Sequence, residues 1–163
     1  MNRLLLVCLA AVVASSDVSA QARSTGPGGL RGAWSLIEHA TTGSDAAIDR
    51  DPQPGLYIFT ERHYSFTRVT GAEPRYEVEN LLTARADDLR NLLRFAAQSG
   101  TYELSGNELR LRRTAALDVG SMAPGNSAVY AVRLQGDTVW LTTKQHNGNP
   151  IKNPATFKLR RVE

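Results

Sequence analysis

The sequence predicts an all-β fold of about eight antiparallel strands closed into an up-and-down barrel, with one helix between the third and fourth strands. Short stretches rich in aromatic and β-branched residues recur along the chain. Turn pairs such as Gly106-Asn107 and Gly136-Asp137 separate neighbouring stretches, and only one segment has helical spacing of its apolar residues. Eight strands are enough to close a small barrel that leaves no free sheet edge.

The clearest strand pair is a predicted hairpin between residues 55 and 69. Its arms are Gly55-Leu-Tyr-Ile-Phe-Thr60 and His63-Tyr-Ser-Phe-Thr-Arg-Val69, joined by Glu61-Arg62. Side chains alternate across a strand, and in neither arm is one of the two faces purely polar. Such a hairpin needs cover on one side and partial cover on the other, which a barrel with a lined lumen supplies.

The other strands follow from the same alternation and from the turn residues between them. They are predicted over residues 31–40, 101–105, 108–115, 127–134, 138–144 and 155–162. The predicted helix covers residues 83–98, where Leu89, Leu92, Leu93, Ala96 and Ala97 recur at spacings of three and four. We expect this apolar stripe to pack against the barrel, because an isolated helix of this length is only marginally stable.

The first 22 residues have the pattern of a secretory signal peptide. Arg3 precedes an unbroken apolar run from Leu4 to Ala14, and small residues follow where a signal peptidase would cut. Residues 23–29 are predicted to be a flexible leader, and residues 30–163 to form the barrel domain. The mature protein is therefore expected in the periplasm or outside the cell, with no integral membrane segment once the signal is removed.

Composition excludes several classes of partner and cofactor. The net charge is +3, and no block of Lys and Arg interleaved with aromatic residues is present, so a nucleic-acid partner is not predicted. The only cysteine, Cys8, lies in the signal segment, so the mature chain has no thiol nucleophile. The three histidines, at positions 39, 63 and 146, lack the close spacing of a metal site. No metal and no cofactor are predicted.

Five segments together resemble the bacterial lipocalin-like domain family of calycin-type barrels. They are Leu30-Arg-Gly-Ala-Trp-Ser-Leu36, Gly55-Leu-Tyr-Ile-Phe-Thr60, His63-Tyr-Ser65, Gly100-Thr-Tyr-Glu-Leu104 and Leu134-Gln-Gly-Asp-Thr-Val-Trp-Leu-Thr-Thr143. The resemblance implies a lipocalin-like barrel and a cavity for a small hydrophobic or amphipathic molecule. It also implies that an arginine late in the last strand, Arg161 or alternatively Arg160, packs over Trp34 and closes the barrel. It implies no catalytic residues.

Charged residues that share a strand phase with apolar ones are the candidate ligand-binding residues. Glu38, Arg68, Arg113 and Arg133 are such residues, and Tyr64, Phe66 and Tyr130 are the aromatic candidates beside them. If they face the lumen, the arginines could bind the anionic group of an amphipathic ligand. The alternative is that these charges lie at strand ends in water, or that the arginines pair with Glu38 or Glu103.

Two other functions remain open at this level. An isomerase or cyclase built on the same barrel would need an acid and a base converging in the cavity, with Glu38, His63 or Tyr64 as the candidates. A barrel filled by Trp34, Phe66 and Trp140 would have no ligand and would act through its outer surface. The openness of the lumen decides between a filled barrel and the other two functions.

Overall fold

The computed structural model describes residues 27–163, so the predicted signal segment, residues 1–22, lies outside the described part of the chain. Two helices and ten strands are present between residues 27 and 163. In chain order they are α1 (Pro27–Leu30), β1 (Gly32–Thr41), β2 (Ala47–Asp49), β3 (Gly55–Phe59), β4 (His63–Val69), α2 (Ala86–Leu93), β5 (Phe95–Ser105), β6 (Glu108–Ala116), β7 (Ala128–Gln135), β8 (Thr138–His146), β9 (Asn149–Pro150) and β10 (Ala155–Arg161). Residues 27–29, the end of the predicted leader, form a helical turn with Leu30.

Eight of these strands form a closed antiparallel barrel. The hydrogen-bonded order is β10, β1, β3, β4, β5, β6, β7 and β8, and β10 also pairs with β8 to close the ring. Each strand of the ring therefore pairs with its neighbours along the chain, as in an up-and-down meander. The two short strands β2 and β9 lie off the ring and pair only with β1 and β8. The predicted all-β barrel is confirmed.

The predicted position and extent of the helix are wrong. Helix α2 lies between the fourth and fifth strands, since the short strand β2 precedes the hairpin. Helix α2 ends at Leu93, whereas the spacing of the apolar residues predicted a helix that continued to residue 98. Residues 95–99 instead begin β5, where Phe95 pairs with Val69 and Gln98 with Phe66. Pairing along the whole length of β4 thus overrides the helical pattern of this segment.

Helix α2 does not bury the apolar stripe that the sequence predicted. Leu89 and Leu93 are 48% and 65% exposed, and the buried residue of the helix is Asn91. The Asn91 side chain donates to the Tyr76 carbonyl at 2.8 Å and accepts the Tyr76 N–H at 3.2 Å. The helix is therefore fastened to the preceding loop by an amide side chain rather than to the barrel by leucines.

The two ends of the barrel differ in the length of their connections. At one end, which we call the base, the connections β3–β4, β5–β6 and β7–β8 contain two or three residues, such as Gly106-Asn107. At the other end, which we call the mouth, the ring strands are joined by residues 42–54, 70–94, 117–127 and 147–154. Long loops of this kind leave room for a cavity, whereas short turns draw neighbouring strands together.

The base is closed around Trp34, which is fully buried. Its indole N–H donates to the Leu30 carbonyl at 2.9 Å. Arg161 lies opposite Trp34 in the β1–β10 register, and its guanidinium carbon is 4.1 Å from the centroid of the Trp34 ring. Arg161 also donates to the carbonyls of Arg31 and Gly29. We call Trp34 and the covering Arg161 the plug. Large buried side chains fill the barrel between the plug and the mouth: Phe59, Tyr102, Leu109, Leu111, Val139, Leu141 and Leu159.

Three β-bulges change which side chains face the interior. The additional residues are Ile37 in β1, Thr114 in β6 opposite Ser99/Gly100, and Lys144 in β8 opposite Val129/Tyr130. A bulge adds one residue to a strand, so the inward phase moves by one position beyond it. In β1 the inward residue after Leu36 is consequently His39, which pairs and stacks with Phe157.

Candidate functional site

A cavity of ≈ 540 Å³, which we call the main cavity, opens at the mouth between β4, β5 and β6. Phe66, Phe95 and Phe157 contribute aromatic walls, and Leu93 and Leu117 contribute further apolar surface. The floor is aromatic as well, since the Tyr57 and Phe66 rings stack with centroids 4.8 Å apart. The barrel is therefore packed at the base and open at the mouth.

Arg68 points into this cavity from β4. Its guanidinium carbon is 4.8 Å from the centroid of the Phe157 ring, and its Nε–H is buried without a hydrogen-bond partner. Gly55 lies opposite Arg68 in the β3–β4 register, and a Cβ on Gly55 would come within 3.0 Å of the Arg68 Cβ. Gly55 therefore leaves room for the side chain that carries the charge.

Arg113 enters the same cavity from β6 and is buried. Its Nε–H donates to the Gln98 side-chain oxygen at 2.8 Å, and its Nη2 lies 3.3 Å from the His146 ring nitrogen Nδ1. Neither partner carries a negative charge, and the Gln98 Nε2 atom is buried without an acceptor. Between residues 27 and 163, none of the ion pairs includes Arg68 or Arg113.

Three tyrosines surround the two arginines and remain uncharged. Burial raises the pKa of Tyr57, Tyr64 and Tyr130 well above the usual value, and the nearby guanidinium groups only partly oppose that effect. The Tyr64 hydroxyl is buried without a partner. The orphaned groups of the described chain are thus Tyr64 Oη, Arg68 Nε and Gln98 Nε2. All three belong to β4 and β5, and all three can donate a hydrogen bond.

The structure brings five of the seven predicted ligand-binding residues together: Tyr64, Phe66, Arg68, Arg113 and Tyr130. The other two were placed wrongly. Beyond the β1 bulge Glu38 faces outward and lies 3.8 Å from Lys158 Nζ, so it does not line the lumen. Arg133 is also outside, with its guanidinium carbon 3.4 Å from the centroid of the Trp140 ring. Arg133 shares the phase of Val129, and Val129 is buried but lies outside the core cluster, whereas Val132 belongs to it.

The acid–base pair considered for an enzyme is not assembled. His63 is exposed on the outer face of β4, Glu38 is outside β1, and only Tyr64 faces the interior. No group of three or more His, Cys, Asp or Glu side chains within residues 27–163 is placed to hold a metal ion. Across the same residues, no helix has the length and apolar character needed to span a membrane.

Sequence reasoning missed three polar residues of the mouth: His39, Gln98 and His146. His39 faces inward only because of the β1 bulge, which the alternation of residue types does not reveal. Its ring stacks on Phe157 with centroids 4.9 Å apart. Burial lowers the pKa of His39, and the positive charge of Arg68 acts in the same direction. Gln98 was not predicted to line the cavity because residues 83–98 were predicted to form a helix.

Comparison with known proteins gives matches in fold alone. A lipocalin-like protein from Bacteroides uniformis ATCC 8492 is similar over 82% of this chain and 99% of its own, at 13% sequence identity and a TM-score of 0.45. An uncharacterized protein from Bacteroides eggerthii DSM 20697 is similar over 81% of this chain and 98% of its own, at 12% identity and a TM-score of 0.43. No family model and no curated protein matches the sequence.

Proposed function

We propose that this protein binds a small amphipathic anion in the mouth of its barrel. The observation that carries the proposal is Arg68, a guanidinium inside an aromatic cavity with no carboxylate partner in the described chain and with a buried, unpaired Nε–H. Leaving such a group unpaired costs free energy, and an oxyanion would recover it. Arg113 lines the same cavity and adds a second positive charge.

The shape of the cavity supports an amphipathic ligand over a purely polar one. The side chains of Phe66, Phe95 and Leu117 offer apolar surface beside the arginines. The packed base sets the depth, because below Phe66 and Tyr130 only a space of ≈ 30 Å³ remains. We therefore expect the charged group to lie at the arginines and the tail to lie along the apolar wall toward Leu93, at the open edge.

The electrostatics of the mouth favour an anion. Burial raises the pKa of the surrounding tyrosines, so they add no negative charge that would repel an anion or pair with the guanidinium groups. One carboxylate, that of Asp118, lines the main cavity, and it accepts the Gly120 N–H at 3.1 Å at the edge of its loop. The positive charge of Arg68 is therefore available to an incoming group.

A titration with two ligands of equal tail length tests this proposal. Arg68→Gln should weaken the binding of octanoate by roughly 1.5–3 kcal/mol, the scale of a charge-assisted hydrogen bond, and should leave the binding of octanol nearly unchanged. Arg133→Gln is the matched control, because Arg133 also lies over an aromatic ring but on the outer face of the barrel. Equal losses for both ligands, or equal effects of the two substitutions, would contradict anion recognition by Arg68.

Export is part of the same proposal and rests on residues 1–22, which lie outside the described structure. The order of a basic start, an apolar run and small residues supports secretion to the periplasm or beyond. We expect a mature N-terminus at Gln21 or Arg23, determined by sequencing protein recovered from the exported fraction. Recovery of a chain that still begins at Met1 would end this part of the proposal.

A further inference from the structure

Arg68 lies between two cavities. The second, which we call the side cavity, measures ≈ 400 Å³ and lies between the end of β1, strand β2 and the loop after β4. Of all the residues that line the main and side cavities, Arg68 is the one that belongs to both. Open space therefore adjoins the Arg68 residue in both cavities.

The two cavities differ in chemistry. The main cavity has Phe66, Phe95 and Phe157 on its walls. The side cavity has small apolar side chains together with polar ones, namely His39, Thr41, Asp49, Gln53 and Thr70. The Asp49 carboxylate is half-buried and accepts the Asp51 N–H at 3.0 Å. An apolar tail therefore fits the main cavity, and a neutral or cationic polar group fits beside Asp49.

We propose that the ligand is an amphiphile whose anionic group is internal, as in a phosphodiester, with an apolar tail in the main cavity and a polar, preferably cationic, group in the side cavity. This inference rests on the proposed function and narrows its ligand class. An internal oxyanion places one negative charge at Arg68 and continues on both sides. A terminal anion of the same tail length leaves the side cavity to water and gains nothing from Asp49.

The Asp49 carboxylate gives the sharpest distinction between the two kinds of ligand. It attracts a cationic substituent in the side cavity and repels a second negative charge placed near Arg68. Asp49→Asn keeps an oxygen that can accept the Asp51 N–H, so the local turn is preserved while the charge is removed. The substitution should therefore weaken the binding of a phosphodiester that carries a cation and should not weaken the binding of a terminal phosphate.

The experiment measures the affinity of the mature protein and its variants for dodecylphosphocholine and dodecyl phosphate, both below their micelle concentrations. Asp49→Asn should weaken dodecylphosphocholine about fivefold and should leave dodecyl phosphate unchanged or slightly tighter. Ala47→Trp, which fills the side cavity from strand β2, should weaken dodecylphosphocholine about tenfold and dodecyl phosphate less than about twofold. Ala116→Trp, at the wall of the main cavity, should weaken both.

The outcomes separate this inference from the function on which it rests. If both amphiphiles bind with Arg68-dependent affinity but neither Asp49→Asn nor Ala47→Trp distinguishes them, the side cavity is not a ligand site and the inference is overturned alone. If neither amphiphile binds and octanoate does not bind either, the proposed function fails as well. Circular dichroism of each variant shows whether it is folded. If Ala47→Trp does not fold, the comparison of the two amphiphiles with Asp49→Asn alone decides whether the side cavity binds the ligand.

Discussion

The base and the mouth of the barrel use the same residue types in opposite ways. At the base, Arg161 covers Trp34, donates to the backbone carbonyls of Gly29 and Arg31, and lies near the Asp137 carboxylate. At the mouth, Arg68 also lies over an aromatic ring, but its Nε–H has no partner and it belongs to none of the ion pairs of the described chain. Arg161 thus has all its contacts within the base, whereas the Arg68 Nε–H at the mouth is left without a partner.

This difference separates the region that should determine stability from the region in which we propose binding. The base joins short turns, the first and last strands of the barrel and a buried indole, so a change there should affect the stability of the whole barrel. The mouth gathers long loops around open space, so under the proposed function a change there should affect ligand binding first. The predictions below test that division.

The largest effect is expected at the centre of the base. Trp34→Ala should lower the free energy of unfolding by about 3–5 kcal/mol, because it removes a fully buried indole and leaves a cavity. Trp140→Ala is the matched control, since Trp140 lies half-buried on the outer face beside Arg133, and it should cost about 1 kcal/mol. Urea unfolding followed by circular dichroism measures both losses. An unchanged midpoint for Trp34→Ala would show that Trp34 does not stabilise the base.

A smaller loss of unfolding free energy is expected when Arg161, which packs over Trp34, is replaced. Arg161→Ala should cost about 1–2 kcal/mol, through lost packing over the indole and through the carbonyls of Gly29 and Arg31 that lose their donor. Arg133→Ala removes a stacked but exposed arginine and should cost less than about 1 kcal/mol. Equal losses for Arg161→Ala and Arg133→Ala would mean that the contacts of Arg161 at the base stabilise the protein no more than those of an exposed, stacked arginine.

Replacing Arg68 at the mouth should not lower the free energy of unfolding, in contrast to the substitutions at the base. Arg68→Met keeps much of the side-chain volume and removes a buried donor without a partner, so we expect the free energy of unfolding to stay constant or rise by about 1 kcal/mol. Arg113→Met, by contrast, breaks the 2.8 Å bond to Gln98 and should lower it by about 1 kcal/mol. Thermal and urea unfolding of the ligand-free proteins measure both, and a large loss for Arg68→Met would place Arg68 among the stabilising residues.

The smallest expected effect is a pH dependence that comes from His39. Burial and Arg68 hold the pKa of His39 below its ordinary value of 6.5 in the folded protein. Between that lowered pKa and 6.5 the unfolded chain binds more protons, so stability rises with pH across this window and is lost as the pH falls. His39→Gln should flatten the slope, while His63→Gln, at an exposed position, should retain it. Identical slopes for both variants would contradict the effect.

The sequence predicts the base better than the mouth for a physical reason. The strand pattern locates seven of the eight ring strands closely, and the resemblance to lipocalin-like domains points to Trp34 and Arg161. In β6 the alternation of Leu109, Leu111 and Arg113 continues unbroken, so Arg113 lies on the same side of the strand as the two leucines. Short turns and regular alternation are local properties, and they can be recognised in the residues themselves.

The mouth depends on features that local patterns do not contain. A bulge near Glu38 reverses the phase of β1, so His39 rather than Glu38 faces the interior. The start of β5 has helical spacing of its alanines, yet β4 requires a partner there, and Gln98 becomes part of the cavity wall as a result. Both features are decided by pairing between distant strands, which the sequence of one strand does not specify.

The most direct test of the division between base and mouth is the position of a bound anionic amphiphile in a crystal structure of the mature protein with octanoate. The account predicts the carboxylate within hydrogen-bond distance of the Arg68 guanidinium and the tail along Phe66 and Phe95 in the main cavity. It also predicts that Trp34 and Arg161 stay in place. A ligand on the outer face of the barrel, or one that enters the base by displacing Trp34, would contradict the account.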